Sequence, residues 1–253
     1  MDQALCRSVL ITGANRGIGL GLVEGFLAAS PCPEVVIATC RCPESAQELQ
    51  KLCKQYSNIR VLPLDVVSES SIKETVKKVE DIVGEKGLNC LINNAGINVL
   101  GSLEDVTTEA MLRTFETNTV AQLMLSKAFL PLLKKAAKQS ATMGCHRAAI
   151  VNMSSISASI GLAKSNDIYH TIYPYRISKA ALNMLTKCLA TDLKLEGILC
   201  IALHPGWIQT DMGGTKAPLK VQDAVPSIIS LLAQLSEKDN GAFLDWEGKT
   251  LPW

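Results

Sequence analysis

No run of about 18 uninterrupted apolar residues occurs in the chain, so no transmembrane helix is expected. Charge of one sign is missing too. The net charge is +1 with no long acidic or basic block, which argues against nucleic acid or an anionic membrane surface as a partner. The nine cysteines include no C-x-x-C pair, and His146, His170 and His204 fall at no zinc-like interval, so no metal site is expected. An odd number of irregularly spaced cysteines does not make a disulfide framework. Most are read as small core residues in a reducing, cytoplasmic compartment. The apolar run after Asp2 is too short for a signal peptide. Without a secretory signal, Asn152-Met153-Ser154 is a chance match to the glycosylation sequon. Repeats, low-complexity segments and breaks in composition are also absent, and residues 1–253 read as a single domain.

What is present is alternation. Apolar runs at "SVLIT" (Ser8 to Thr12), "EVVIAT", "IRVLPLDV", "LNCLINNAG", "AAIVNMSS", "ILCIALHPG" and "AFLDW" read as seven strands. Helical segments separate them: Gly19 to Ala29, "SAQELQKLCKQ", "SESSIKETVKKVEDIVG" with Ser68 or Ser70 as cap, one long helix from Thr108 to Lys138, another from Tyr175 to Gly197, and a last one near Ala224 to Gln234. Continuous Val/Ile/Leu strands between helices predict an α/β, doubly wound (Rossmann), mostly parallel sheet with helices on both faces. "QSATMGCHR" and "LAKSNDIYHTIYP" read as insertions on either side of the fifth strand.

Gly13, Gly17, Gly19 and Gly21 crowd between the first strand and the first helix. In a strand-turn-helix, the backbone amides and the helix N-terminus form an anion site. A pyrophosphate reaches it only where no Cβ intervenes. Gly13 is assigned the tight turn, Gly17 the close approach, and Gly19 the packing of helix on strand. A tight turn with glycines kept for packing is the competing explanation.

"TGANRGIG" (Thr12 to Gly19), "VNMSS" (Val151 to Ser155), "NNAG" (Asn93 to Gly96), "YRISK" (Tyr175 to Lys179) and "HPGWIQTDM" (His204 to Met212) share one order and spacing along nearly the whole chain. In these motifs the chain resembles the short-chain dehydrogenase/reductases. Within that family, "YPYRISKAALN" and "HPGWIQTDMGG" resemble the sniffer-type carbonyl reductases and the C-factor-like proteins.

Tyr175 and Lys179 stand four residues apart and share a helix face. A neighbouring ammonium favours phenolate and lowers a phenol pKa, so this pair reads as a general acid or base. Tyr169 and Tyr173 lack a lysine four residues on. The resemblance implies that Ser155 holds the substrate oxygen and that Asn118, a poor helix former inside a helix, supports a proton relay to the lysine. Ser154 and Ser157 are the competing serines. The spacing from Ser155 to Tyr175 is longer than the family pattern, which bears on the shape of the substrate pocket.

The second strand ends in "IATCRCPE", without the acid that a ribose 2′-hydroxyl calls for. Arg41 and Arg16 are present instead and suit a 2′-phosphate, which favours NADPH over NADH. Asn15 and Ile18 lie in the glycine turn and are assigned to the cofactor with it. By resemblance, Asp65 and Val66 take the adenine edge. Asn93, Asn94, Ala95 and Gly96 line the cleft, while Pro205, Gly206, Ile208 and Thr210 take the nicotinamide side. The implied activity is NADPH-dependent reduction of aldehydes, ketones or quinones, with Met212 to Val221 as a short substrate lid hinged at Gly213-Gly214. The alternatives are an alcohol or hydroxysteroid dehydrogenase using NAD, and a nucleotide-sensing regulatory protein. The helices around Asn118 and Tyr175 resemble the family's homodimer surface; Leu123, Met124, Leu182 and Leu185 belong either to that surface or to the core.

Overall fold

The computed structural model describes residues 5–163 and 172–253. Seven strands form one sheet: β1 (Ser8–Thr12), β2 (Val35–Cys40), β3 (Ile59–Pro63), β4 (Cys90–Asn93), β5 (Ala149–Met153), β6 (Leu199–His204) and β7 (Phe243–Asp245). Their order is β3-β2-β1-β4-β5-β6-β7. Every pairing is parallel, a stricter arrangement than the mostly parallel sheet expected.

Burial on both faces explains the unbroken apolar strands. Val9 and Ile11 of β1 pack with Leu22 and Phe26 of α1 (Gly17–Ala28) and with Ile228 of α7 (Val221–Gln234). Leu10, between them, faces the opposite layer, with Ile72 of α3 (Glu69–Val83) and Phe129 of α5 (Ala121–Ala137). Successive side chains of a strand alternate sides, so an all-apolar strand needs a helix layer on each face. α2 (Gln47–Gln55) completes the first layer through Leu49, and α6 (Tyr173–Asp192) lies in the second. Ser68 is the N-cap of α3, its Oγ accepting from Ser71 N at 3.3 Å.

Gly21 serves this packing rather than the turn. A Cβ there would stand 2.3 Å from Val221 Cγ1, and one at Gly25 2.7 Å from Val225 Cγ1. Glycines one turn apart on α1 therefore let α7 lie close against it.

The helix expected from Thr108 to Lys138 is divided. α4 (Thr108–Phe115) leads into a π-helical turn at Glu116–Val120, which α5 continues. Ala121 N donates to Glu116 O, five residues back, and Gln122 Nε2 donates to Thr117 O at 2.9 Å. α6 ends at Asp192 rather than Gly197. Leu182 is fully buried core and Leu185 half-buried, whereas Leu123 and Met124 face outward. Asn152, the sequon residue, is fully buried. Cys6, Cys40, Cys90, Cys145 and Cys200 are buried, and Cys32, Cys42, Cys53 and Cys188 are exposed. Among the described residues, no helix is long and apolar enough to cross a membrane.

Candidate active site

β1 lies between β2 and β4, so the chain winds outward in both directions from this point. In doubly wound sheets, the crevice at the C-terminal ends of such strands is where ligands bind. Thr12 ties its two walls together. Its Oγ1 accepts from Asn94 N at 3.0 Å and from Ala95 N at 2.9 Å. Asn94 Nδ2 donates back to Thr12 O at 2.8 Å and Gly13 O at 3.2 Å.

The glycine turn leaves no room for side chains. Gly13 and Gly17 have φ of +64° and +56°, a region L residues rarely adopt. A Cβ at Gly19 would stand 2.3 Å from Gly13 O and 2.6 Å from Asn94 Nδ2. This turn, opening directly into α1, fits a pyrophosphate on backbone amides. Asn15 and Arg16 are exposed beside it, and Ile18 is half-buried. Arg16 pairs with Asp211, which lies beyond β6. Arg41 is exposed at the end of β2 and has no hydrogen-bond or ion-pair partner among the described residues. Half-buried Asp65 accepts from Val67 N at 3.2 Å, beside buried Val66.

Asn93 does not line the crevice. It is buried in the core, where its Nδ2 donates to Asn152 Oδ1 at 2.8 Å and to Ser126 Oγ at 3.2 Å. Its neighbour Asn94 makes the crevice contacts, because successive residues at the end of a strand point to opposite sides.

Beyond β6, Pro205 and Ile208 are buried, and Gly206 has φ of +94°. Thr210 Oγ1 accepts from Gly213 N at 3.1 Å, and its methyl group faces Gly17, where a Cβ would lie 3.3 Å away. The segment read as a lid is heavily bonded: Trp207 Nε1 donates to Gly213 O at 2.8 Å, Gly214 N to Thr210 O at 2.8 Å, and Gln209 N to Leu219 O at 2.8 Å.

The catalytic candidates meet at the ends of β5 and α6. The π turn widens the helix at Asn118, whose amide spans two elements. Its Nδ2 donates to Ile97 O at 2.8 Å and Ser178 Oγ at 3.0 Å, and its Oδ1 accepts from Ile97 N at 2.9 Å. Ser178 Oγ donates in turn to Tyr175 O at 2.8 Å. Lys179 is buried and donates from Nζ to Met153 O at 2.7 Å. A Cβ at Gly96 would stand 3.1 Å from Asn118 Oδ1 and 3.5 Å from Lys179 Nζ, which puts the crevice and the catalytic cluster side by side. Ser155 follows β5, and its Oγ accepts from Ser157 N at 3.1 Å. The competing Ser154 points to α6 instead, donating to Asn183 Oδ1 at 2.6 Å. Tyr173 is exposed, and Tyr169 and His170 lie outside the described residues.

Lys179 Nζ lies 5.7 Å from the Tyr175 ring centroid and donates to the Met153 carbonyl. Burial dominates and pushes Tyr175 up to about 12, opposed by its hydrogen bond with Ser155. Burial also pulls Lys179 down to about 8.

The model of the short chain dehydrogenase family matches residues 7–219. The chain belongs to that family. The carbonyl reductase Sniffer of D. melanogaster is 45% identical, with TM-score 0.94 over 98% of this chain and 100% of that one. An NADPH-bound carbonyl reductase from chicken fatty liver is 48% identical, with TM-score 0.93 over 98% and 99%. The C-signal protein of Myxococcus xanthus is 37% identical over 168 residues, 66% of this chain and 93% of its own length.

Within this short-chain dehydrogenase, Ser178 and Asp211 escaped the sequence analysis although both lie inside quoted motifs. Ser178, three residues after Tyr175, shares the helix face that meets Asn118. Asp211 follows Thr210 directly, but its pairing with a residue 195 positions away has no local signal.

Proposed function

We propose that the protein is an NADPH-dependent carbonyl reductase acting on aldehydes, ketones or quinones. The observation that carries this reading is that Ser155, Tyr175, Lys179 and Asn118 converge beside the glycine-lined crevice. Gly13, Asn15, Gly17, Ile18 and Gly19, with Asn94, Ala95 and Gly96, would hold the cofactor's pyrophosphate and ribose. Asp65 and Val66 would border the adenine, Arg16 and Arg41 would take a 2′-phosphate, and Pro205, Gly206, Ile208 and Thr210 would border the nicotinamide. When bound, the cofactor supplies hydride.

The chain's own part is proton transfer and orientation. Ser155 directs a hydroxyl at the carbonyl oxygen. Tyr175, kept protonated by burial, donates its proton to that oxygen as negative charge develops. Lys179, held on Met153 O, presents a charge beside the phenol ring, and Asn118 fixes the start of α6 through Ser178. The NADPH-bound neighbour and the absence of an acid at the end of β2 support NADPH as the nucleotide.

The outward apolar residues Leu112, Phe115, Leu123, Met124, Ile177 and Met184 suit a homodimer face, which sedimentation tests. Free thiols suit a cytoplasmic setting. The deciding experiment is a carbonyl panel with NADPH and NADH, followed at the nicotinamide absorbance. Turnover of several carbonyls with NADPH preferred is expected; no turnover, or preference for NADH, overturns the proposal.

A further inference from the structure

The segment following the catalytic serine is held from two sides. Ile156–Ala158 forms one 3-10 turn, and Arg176, next to Tyr175, donates from Nε to Ser157 O at 3.2 Å. On the other side stand Pro252 and Trp253. The buried Ser159 hydroxyl donates to Pro252 O at 2.7 Å and accepts from Leu162 N at 3.1 Å. Gly161 N donates to Trp253 O at 2.8 Å. This approach is close: a Cβ on Gly161 would stand 3.3 Å from that oxygen and 3.4 Å from Pro252 Cβ.

Trp253 is itself anchored on the body of the fold. Its ring stacks on fully buried Phe243 of β7, with centroids 5.6 Å apart and planes 27° apart. Lys187 Nζ of α6 lies 5.2 Å from the indole centroid. Buried Leu251 donates from N to Phe243 O at 2.8 Å. A stacked, cation-capped indole is a rigid support for a backbone acceptor. The chain of contacts runs from β7 through Trp253 to Gly161 and Ser159, and on to the turn that bonds both Ser155 and Arg176.

We propose that Trp253 is a positioning residue for the carbonyl substrate. It fixes the wall from Ser159 to Ala163, including the exposed apolar side chain of Ile160, at the distance from Ser155 and Tyr175 that an apolar carbonyl compound requires. Trp253 acts through this wall and touches none of the reacting atoms. The inference rests on the carbonyl-reductase reading of the site.

The test compares Trp253→Ala and Trp253→Phe in the full chain, using the best substrate of the carbonyl panel. Trp253→Ala is expected to raise the carbonyl KM about fivefold or more while the NADPH dissociation constant stays within about twofold. Amide exchange at Gly161 should quicken about tenfold, and Trp253→Phe should restore both readouts. Wild-type KM and wild-type Gly161 exchange in Trp253→Ala overturn the proposal. So does a parallel rise in carbonyl KM and NADPH dissociation constant, which marks general loosening. Where Trp253→Ala does not fold, Gly161→Ala crowds the same contact from the loop side, with the same outcomes deciding. A wild-type chain that binds NADPH but reduces no carbonyl overturns the functional reading, and the positioning role with it.

Discussion

Gly13, Gly17 and Gly19 shape the crevice after β1 by having no side chain, whereas Asn118, Ser155, Ser178 and Lys179 shape the start of α6 with buried polar groups, each hydrogen-bonded within the fold. The first region is half-buried and presents backbone rather than side chains. Its charged residues, Arg16 and Arg41, lie in solvent, where an ion pair such as Arg16–Asp211 contributes about 0–1 kcal/mol. In the second region the polar residues are buried, and losing a partner there costs about 1–3 kcal/mol. The crevice should therefore fail when atoms are added and the catalytic cluster when atoms are removed.

The largest expected effect tests the second half of that contrast. Tyr175→Phe removes one oxygen and should lower kcat/KM for carbonyl reduction about 10³-fold while NADPH affinity stays within about twofold. Stopped-flow turnover with parallel fluorescence titration checks it, and a loss confined to NADPH binding would break the contrast. Next in size is Gly19→Ala, which adds one carbon 2.3 Å from Gly13 O. It should weaken NADPH binding about 10²-fold and destabilise the fold by about 1–3 kcal/mol; calorimetry reads both, and unchanged affinity counts against the cradle.

The smallest effect concerns His204, at the end of β6. Its Nδ1 is buried without a partner among the described residues, and burial pulls its pKa from 6.5 down to about 4, against the opposing charge of Asp245. Between those values the unfolded chain binds a proton that the folded chain does not, so stability falls as pH drops through that window, by about 2–3 kcal/mol in total. Denaturant titrations from pH 7 to pH 4 should show this slope, and His204→Asn should flatten it. An equally steep slope in the variant removes His204 as the cause.

Much of this was legible in the chain because it is written in short-range pattern. Seven apolar runs became seven strands, and the glycine turn, the Tyr175–Lys179 pair and Ser155 all reached one end of the sheet. The losses occurred where a residue's role depends on a distant partner. Asn93 and Asn94 are adjacent in sequence, yet one enters the core and the other the crevice. The π turn at Asn118 reflects bonds to Ile97 and Ser178 that no periodicity records. Gly21 looked like part of the turn until α7 lay against it.

Composition, periodicity and glycine spacing by themselves determined the fold class and pointed to the turn after β1, because burial on two faces and a Cβ-free turn are demands a local sequence must meet; the other candidate residues came from the resemblance carried by the quoted motifs. Tertiary structure alone decided the surroundings and the supports: Lys179 on Met153 O, the burial that raises Tyr175, and Trp253 against Gly161. Desolvation and long-range contacts depend on which distant atoms pack around a group, and a one-dimensional pattern does not carry that arrangement.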